Sequence, residues 1–248
     1  MVTPVLTMAV RLGLTLALAG KGKPVQVPAI HTAFVNDLKE CAVVMKESKM
    51  LNLDMTYQAF HAHTSNVVAE KARGKYCKKG NNVYYSLLGN TFILEKDLLL
   101  VRDDTGKVVL IKKNNGYFDP VKQHFDPGTV AHFAKKITRT EGNNGLRTYD
   151  VELKDTEVGR MLVAVDTAKY LISSIELLYN REVELIEKSG IRHKIRPRVK
   201  IVYQFNKAEP EEGLFSASKL LIKKGKQWAL AQSLSAYEFI DQYNTVKK

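Results

Sequence analysis

Two cysteines, Cys41 and Cys77, are all that 248 residues contain. So few exclude a disulfide framework and a cysteine-built zinc site. In an exported protein the two could pair and staple a helix to an early strand; two buried free thiols in apolar-rich segments are the other reading. The chain also lacks the motifs that announce catalysis. There is no serine-nucleophile elbow, no glycine loop that would cradle a phosphate and no Cys-x-x-Cys pair. Gly142-Asn-Asn-Gly145 is a turn. No internal repeat or low-complexity tract is present; the N-terminal apolar run is too short to span a bilayer, and no other segment is a candidate membrane span. A non-enzymatic protein without a cofactor is expected.

What is abundant is positive charge. Lys and Arg number 38 against 26 Asp and Glu, a net charge of +12. Such a balance suits anionic partners, an anionic membrane surface among them. The lysines are scattered, however, which fits the solvated face of a sheet. The densest basic stretch, Arg192 to Lys200, has Tyr203 and Phe205 as its aromatic neighbours, and these share a strand face with Val199 and Ile201. Stacking residues on the basic face are what single-stranded nucleic acid requires, so no nucleic-acid partner is expected. His61-Ala-His63 has a spacing some zinc sites use, but no third ligand is patterned with it, and no metal is expected. Asp103-Asp104 and Glu209-Pro-Glu-Glu212 lie in turns, where carboxylates are common.

The dominant signal is two-residue periodicity. In Arg198-Val-Lys-Ile-Val-Tyr-Gln-Phe205, Val199, Ile201, Tyr203 and Phe205 share one face and Arg198, Lys200 and Gln204 the other. Successive side chains of a strand point to opposite faces, so this is a half-buried strand. Segments of this type run from Leu51 to Tyr243, joined by short turns such as Lys79-Gly-Asn81, Gly89-Asn90, Asp103-Asp-Thr-Gly106 and Lys223-Lys-Gly-Lys226. Short turns imply an antiparallel meander. Before it, Ile30, Phe34, Leu38, Ala42 and Met45 recur at helical spacing to about Lys49. Asp126-Pro127 opens a short amphipathic helix to Lys136, carrying Val130 and Phe133. The fold expected is mainly β (α+β): an antiparallel curled sheet or half-open β-barrel of about 10–11 strands. The N-terminal helix and the short helical insertion would cover its concave face.

At the N-terminus, Arg11 precedes the apolar run Leu12 to Leu18, and Ala17-x-Ala19 supplies small residues for cleavage. This reads as a probable signal peptide with its linker over 1–22, leaving 23–248 as a single domain. An ordinary N-terminal segment is the alternative. Lys21 stands where a lipid-anchoring cysteine would follow Leu18-Ala-Gly20, so a soluble periplasmic protein is expected rather than a lipid-anchored one.

The order of helix and meander resembles the bacterial outer-membrane lipoprotein carriers, the LolA/LolB-like half-barrels. The resemblance lies in Leu51-Asn-Leu-Asp-Met-Thr-Tyr-Gln-Ala-Phe60, in Ala69 through Tyr85 with its basic turn and aromatic strand, in Leu98 to Lys113, and in Arg160 through Ile175. The family's Arg-Pro pair falls on Lys79-Gly80, and its following Trp on Tyr84 or Tyr85. The resemblance implies a half-barrel whose concave apolar face holds an acyl chain or lipid. The expected lining is Tyr85, Leu87, Leu98, Leu100, Val163, Val165, Val199, Ile201, Tyr203 and Phe205, with Val130 and Phe133 as a lid. A lipid or lipidated protein is the expected partner of a monomer. The alternative is a structural or adaptor module of an envelope assembly that uses the same fold to bind protein.

Overall fold

The computed structural model describes residues 29–114, 127–186, 192–225 and 227–244. The signal-peptide and linker readings over 1–22 and the Asp126 cap lie outside the described residues. Helix α1 (Ala29–Glu47) leads into strands β1 (Met50–Phe60), β2 (Glu70–Lys79), β3 (Asn82–Leu87), β4 (Asn90–Glu95), β5 (Leu98–Asp103) and β6 (Val108–Lys113). Helix α2 (Pro127–Phe133) precedes β7 (Ala134–Glu141), β8 (Leu146–Leu153), β9 (Val158–Asp166) and β10 (Leu171–Tyr179). Then come β11 (Val183–Ile186), β12 (Arg192–Ile195), β13 (Arg198–Phe205), β14 (Leu221–Lys224), β15 (Gln227–Leu230) and β16 (Glu238–Asp241).

The protein is mainly β, as its alternation implies. Twelve strands follow one hydrogen-bonded order, β16-β6-β5-β4-β3-β2-β1-β13-β10-β9-β8-β7, and the pairs β11–β12 and β14–β15 stand apart. β2 through β6 pair antiparallel in succession, as do β7, β8, β9, β10 and β13. β16 breaks the meander by joining β6 in parallel. The main sheet is therefore larger than the expected ten or eleven strands.

Several boundaries differ from the periodicity. Helix α1 stops at Glu47 because the chain then turns toward β1, and just before that strand the Lys49 carbonyl accepts from Gly80 N–H. Helix α2 ends at Phe133, three residues before Lys136, because Ala134 already pairs with Leu153. The β3–β4 hairpin turns on Leu88-Gly89, not Gly89-Asn90. Both turn residues have positive φ (56° and 77°), as a type I′ turn demands, and only the second is glycine. Arg196-Pro197 divides the continuous strand expected over 191–205 into β12 and β13. Proline has no N–H to give a ladder; its carbonyl instead accepts from Tyr179 N–H. The strands expected over 214–223 and 227–243 are short 3-10 turns, the β14–β15 hairpin and β16. The Ser216 hydroxyl caps one of those turns by accepting from Ser218 N–H.

The chain forms two compact units. The first comprises the described residues of Met1–Glu47, Thr56–Ala72 and Pro120–Tyr203. Its core lies where α1 meets β7–β9. Phe34, Leu38 and Cys41, spaced by four and three, form one helix stripe against Ile137, Tyr149, Val151, Met161, Val163 and Val165, with Val130 of α2 beside them. The Phe34 and Tyr149 rings meet edge to face at 5.1 Å. Each fully buried Leu, Val or Phe contributes roughly 1.5–3 kcal/mol, which is what seats the helix.

The second unit holds Ser48–Met55, Gln204–Lys248 and Arg73–Asp119, again as far as described. Ile93, Leu98, Leu100, Val109 and Ile111 are covered there by Ala217, Leu221 and Leu234 from the C-terminal segment, with Trp228, Tyr237 and Tyr243 at the margin. Cys41 and Cys77 are both free and buried, so the reading as two buried thiols describes them.

Candidate ligand-binding face

In the first unit the inner face of the sheet is read directly from register. Val163 lies opposite Ile175, which lies opposite Ile201; Met161 lies opposite Leu177, which lies opposite Val199. Directly opposed residues share a face. Val163, Val165, Val199 and Ile201 therefore lie on one face, and Tyr203 continues it by alternation. Their cover is uneven. Val163 and Val165 are 0% exposed beneath α1. One strand on, Ile172, Ile175 and Leu177 are only half-buried at the edge of that core. On β13, Val199 is buried but Ile201 and Tyr203 are half-buried. Helix α1 thus closes the face over β8 and β9 and leaves it progressively more open toward β13. Of the expected lid, Val130 is buried in the helix core, and Phe133 is half-buried with its ring edge to face with His132 at 5.0 Å.

The outer face carries the charge. Arg198 Nη1 donates to Glu176 at 2.9 Å, Lys200 Nζ stands 3.8 Å from the same carboxylate, and the Arg198 guanidinium lies 4.0 Å above the Phe60 ring. Farther along the basic stretch, Arg192 pairs with Glu184 and Arg196 with Glu182, each at 3.4 Å. Basic residues of Arg192 to Lys200 are thus matched by carboxylates, as a solvated strand face would be. His63 Nε2 donates to the Tyr179 carbonyl at 3.0 Å, which engages one of the two expected histidines. Among the described residues no three His, Cys, Asp or Glu side chains are placed to hold a metal ion.

The sequence-derived lining does not form one surface in the second unit. Tyr85 opposes Phe92, which opposes Val101, whereas Leu100 opposes Ile93, which opposes Tyr84. Tyr85 and Leu87 therefore point to one face and Leu98 and Leu100 to the other, where the C-terminal segment buries them. The cause is β5 itself. Its run Leu98-Leu-Leu-Val101 is apolar on both faces, so the sequence carries no phase to assign. Phe205 is half-buried at the end of β13. Burial pushes the Tyr85 phenol up to about 12, and its ring meets Phe92 at 5.6 Å.

Three polar groups on the first unit escape sequence reading. Tyr57 is 1% exposed, and its Oη has no hydrogen-bond partner among the described residues. Burial, and then the proximity of Glu70 and Tyr179, pushes its phenol upward. Burial also raises the Glu70 carboxyl and the Tyr179 phenol. The available signal is alternation in β2: Glu70, Ala72 and Gly74 are half-buried while Lys71 and Arg73 are exposed, so a carboxylate occupies an inward position.

No protein-family model matches the chain, and no curated protein sequence matches it. Among solved structures it is similar to a chain of the Pseudomonas aeruginosa MucA/MucB complex, at 13% identity and a TM-score of 0.39, over 80% of this chain and 63% of that one. It is also similar to a LolA superfamily protein from Nitrosomonas europaea, at 10% identity and a TM-score of 0.31, over 75% of this chain and 99% of that one. A third is the Mycobacterium tuberculosis lipoprotein LppX, at 6% identity and a TM-score of 0.33, over 72% and 98%. The chain spans just under two thirds of the MucA/MucB-complex chain it matches.

Proposed function

We propose that this is an exported, periplasmic, non-enzymatic protein that binds a lipid or acyl chain on the inner face of its first unit. One observation carries the reading: the cover of a continuous apolar face falls from complete at Val163 and Val165 to partial at Ile175, Leu177, Ile201 and Tyr203. A strip of half-covered aliphatic side chains is what an alkyl chain would complete, at about 0.8 kcal/mol for each methylene buried. The test is extraction of the protein, purified from its host envelope, with organic solvent, followed by mass spectrometry. Wild type should release lipid in stoichiometric amount, and Ile201→Glu should release far less. Lipid-free wild type that also fails to take up an acyl probe would sink the reading.

The second reading, an adaptor that binds protein in an envelope assembly, is favoured by a different feature. Val67 is 78% exposed, with Val68 beside it also exposed, on the connection between β1 and β2. Retention of a protein partner by wild type but not by Val67→Asp would support it, and that experiment is independent of lipid content.

A further inference from the structure

Tyr57 is the anomaly of the first unit. An unpaired buried hydroxyl is costly, and phenylalanine at that position would avoid the cost. Here the Oη is wholly enclosed with no protein partner among the described residues. The side chain lies on β1, next to β13 in the sheet order, and β13 carries the half-buried Ile201 and Tyr203. Two more polar groups stand near it. Glu70 takes an inward position on β2 directly after Ala69, whose N–H donates to the Ala59 carbonyl two residues along β1 from Tyr57. Tyr179 ends β10, the strand of Ile175 and Leu177, with its carbonyl held by His63 just beyond β1. Three polar side chains thus fall at the margin of an otherwise apolar face, and the Tyr57 hydroxyl is the one enclosed without a partner among the described residues.

Building on the lipid-binding reading above, we propose that Tyr57, with Glu70 and Tyr179, receives the polar end of an uncharged amphiphile, of the class of a fatty-acid ester of glycerol. Its chain lies along Ile175, Leu177 and Ile201. The charge argument excludes the common alternatives. A carboxylate or phosphate placed beside Glu70 would set like charges together in a poorly hydrated site, which is costly. A hydroxyl-bearing neutral end instead donates to the Glu70 carboxylate and accepts from Tyr57 Oη–H, satisfying the enclosed phenol. The outward lysines and arginines, which would attract an anionic headgroup, do not share this face: Lys71, Arg73, Arg198 and Lys200 alternate to the other side.

The experiment compares wild type and Tyr57→Phe, both stripped of lipid, in calorimetric titration with monooleoylglycerol and with oleate at pH 7. Wild type should bind monooleoylglycerol about tenfold more tightly than oleate, and Tyr57→Phe should lose about tenfold for monooleoylglycerol, the worth of one hydrogen bond. Lipid-free Tyr57→Phe should melt no lower than wild type, because it removes an unpaired hydroxyl. Equal affinity for the two lipids, unchanged affinity in the variant, or a lower melting temperature without lipid would each overturn the proposal. In those cases a wild type that still binds either lipid leaves the lipid-binding reading standing. Binding of neither lipid by wild type would overturn both.

Discussion

Tyr149 Oη donates to Asp37 Oδ2 at 2.6 Å, and this bond ties helix α1 to β8 inside the core of the first unit. Arg147 Nη1 donates to the same oxygen at 2.6 Å, and its Nε reaches Glu141 at 3.0 Å. Burial, followed by the Asp37 carboxylate, pushes the Tyr149 phenol up to about 12. Tyr149→Phe keeps the ring against Phe34 and removes only the hydroxyl. It should cost about 1.5–3 kcal/mol, the worth of a hydrogen bond to a charged acceptor, as measured by urea denaturation followed by circular dichroism. A variant as stable as wild type would show that Arg147 alone holds Asp37.

Stability and ligand binding should separate along the inner face. Val163→Ala deletes buried methyl groups beneath α1 and should cost about 2 kcal/mol. Ile201→Ala, at a half-buried site, should cost less than Val163→Ala although it removes more carbon. Acyl-probe affinity should follow the opposite order, with Ile201→Ala the weaker binder. If both properties fall together at both sites, the uneven cover of this face has no functional meaning.

Glu70 gives the protein a pH dependence of definite sign. Its carboxyl is raised above the ordinary value by burial. Below the ordinary carboxylate range it is protonated in folded and unfolded states alike and imposes no penalty. As pH rises through the raised value the folded state resists losing the proton, and stability declines. Glu70→Gln lacks this titration. Melting temperatures of the two proteins should agree near pH 4 and diverge toward pH 7, with Glu70→Gln the more stable.

Neither thiol should react in the folded protein. Burial pushes Cys77 up to about 11 and, with Asp37 adding to it, Cys41 up to about 12, so little thiolate exists at pH 8. A chromogenic disulfide reagent should count no thiols in the native protein and both after denaturation. Rapid native labelling of Cys41 would mean that α1 lifts from the sheet.

Gly74 is required by close approach rather than by a turn. A β-carbon there would stand 2.5 Å from the Ser86 carbonyl oxygen and 2.7 Å from Leu87 Cδ1. The carbonyl belongs to the β2–β3 ladder and cannot withdraw, so Gly74→Ala should destabilise the second unit by about 1–3 kcal/mol. The lone tryptophan, Trp228, packs at the margin of that unit's core and makes its fluorescence a direct readout.

Legibility in the sequence followed how many faces of a strand were apolar. β13 alternates cleanly, and Val199, Ile201 and Tyr203 fall on the inner face as expected while Arg198 and Lys200 pair with Glu176 outside. The helix stripe through Phe34 and Leu38 was equally readable, though Cys41 rather than Ala42 is its buried continuation. β5, apolar on both sides, offers no phase, so alternation alone does not separate Leu98 and Leu100 from Tyr85. The C-terminal segment failed for a different reason. Its apolar residues Ala217, Leu221 and Leu234 cover a sheet from above, and such residues need no period because turns present them one at a time. Tyr57 sits in phase on a legible strand, but nothing local reveals that its hydroxyl lacks a partner. That depends on residues distant in the chain.

The parallel seam between β6 and β16 also sets an order of events in time. A segment made well after β6 supplies both the edge strand and the residues that close over Leu100 and Ile111, and the Tyr237 hydroxyl reaches Asp104 across 133 positions. During synthesis, β3 to β6 are complete long before their cover exists. The second unit cannot reach its final form until the segment through β16 has been made, and pairing over such a span is intrinsically slow. Until then the apolar side chains Ile93, Leu98, Leu100, Val109 and Ile111 have no cover from that segment.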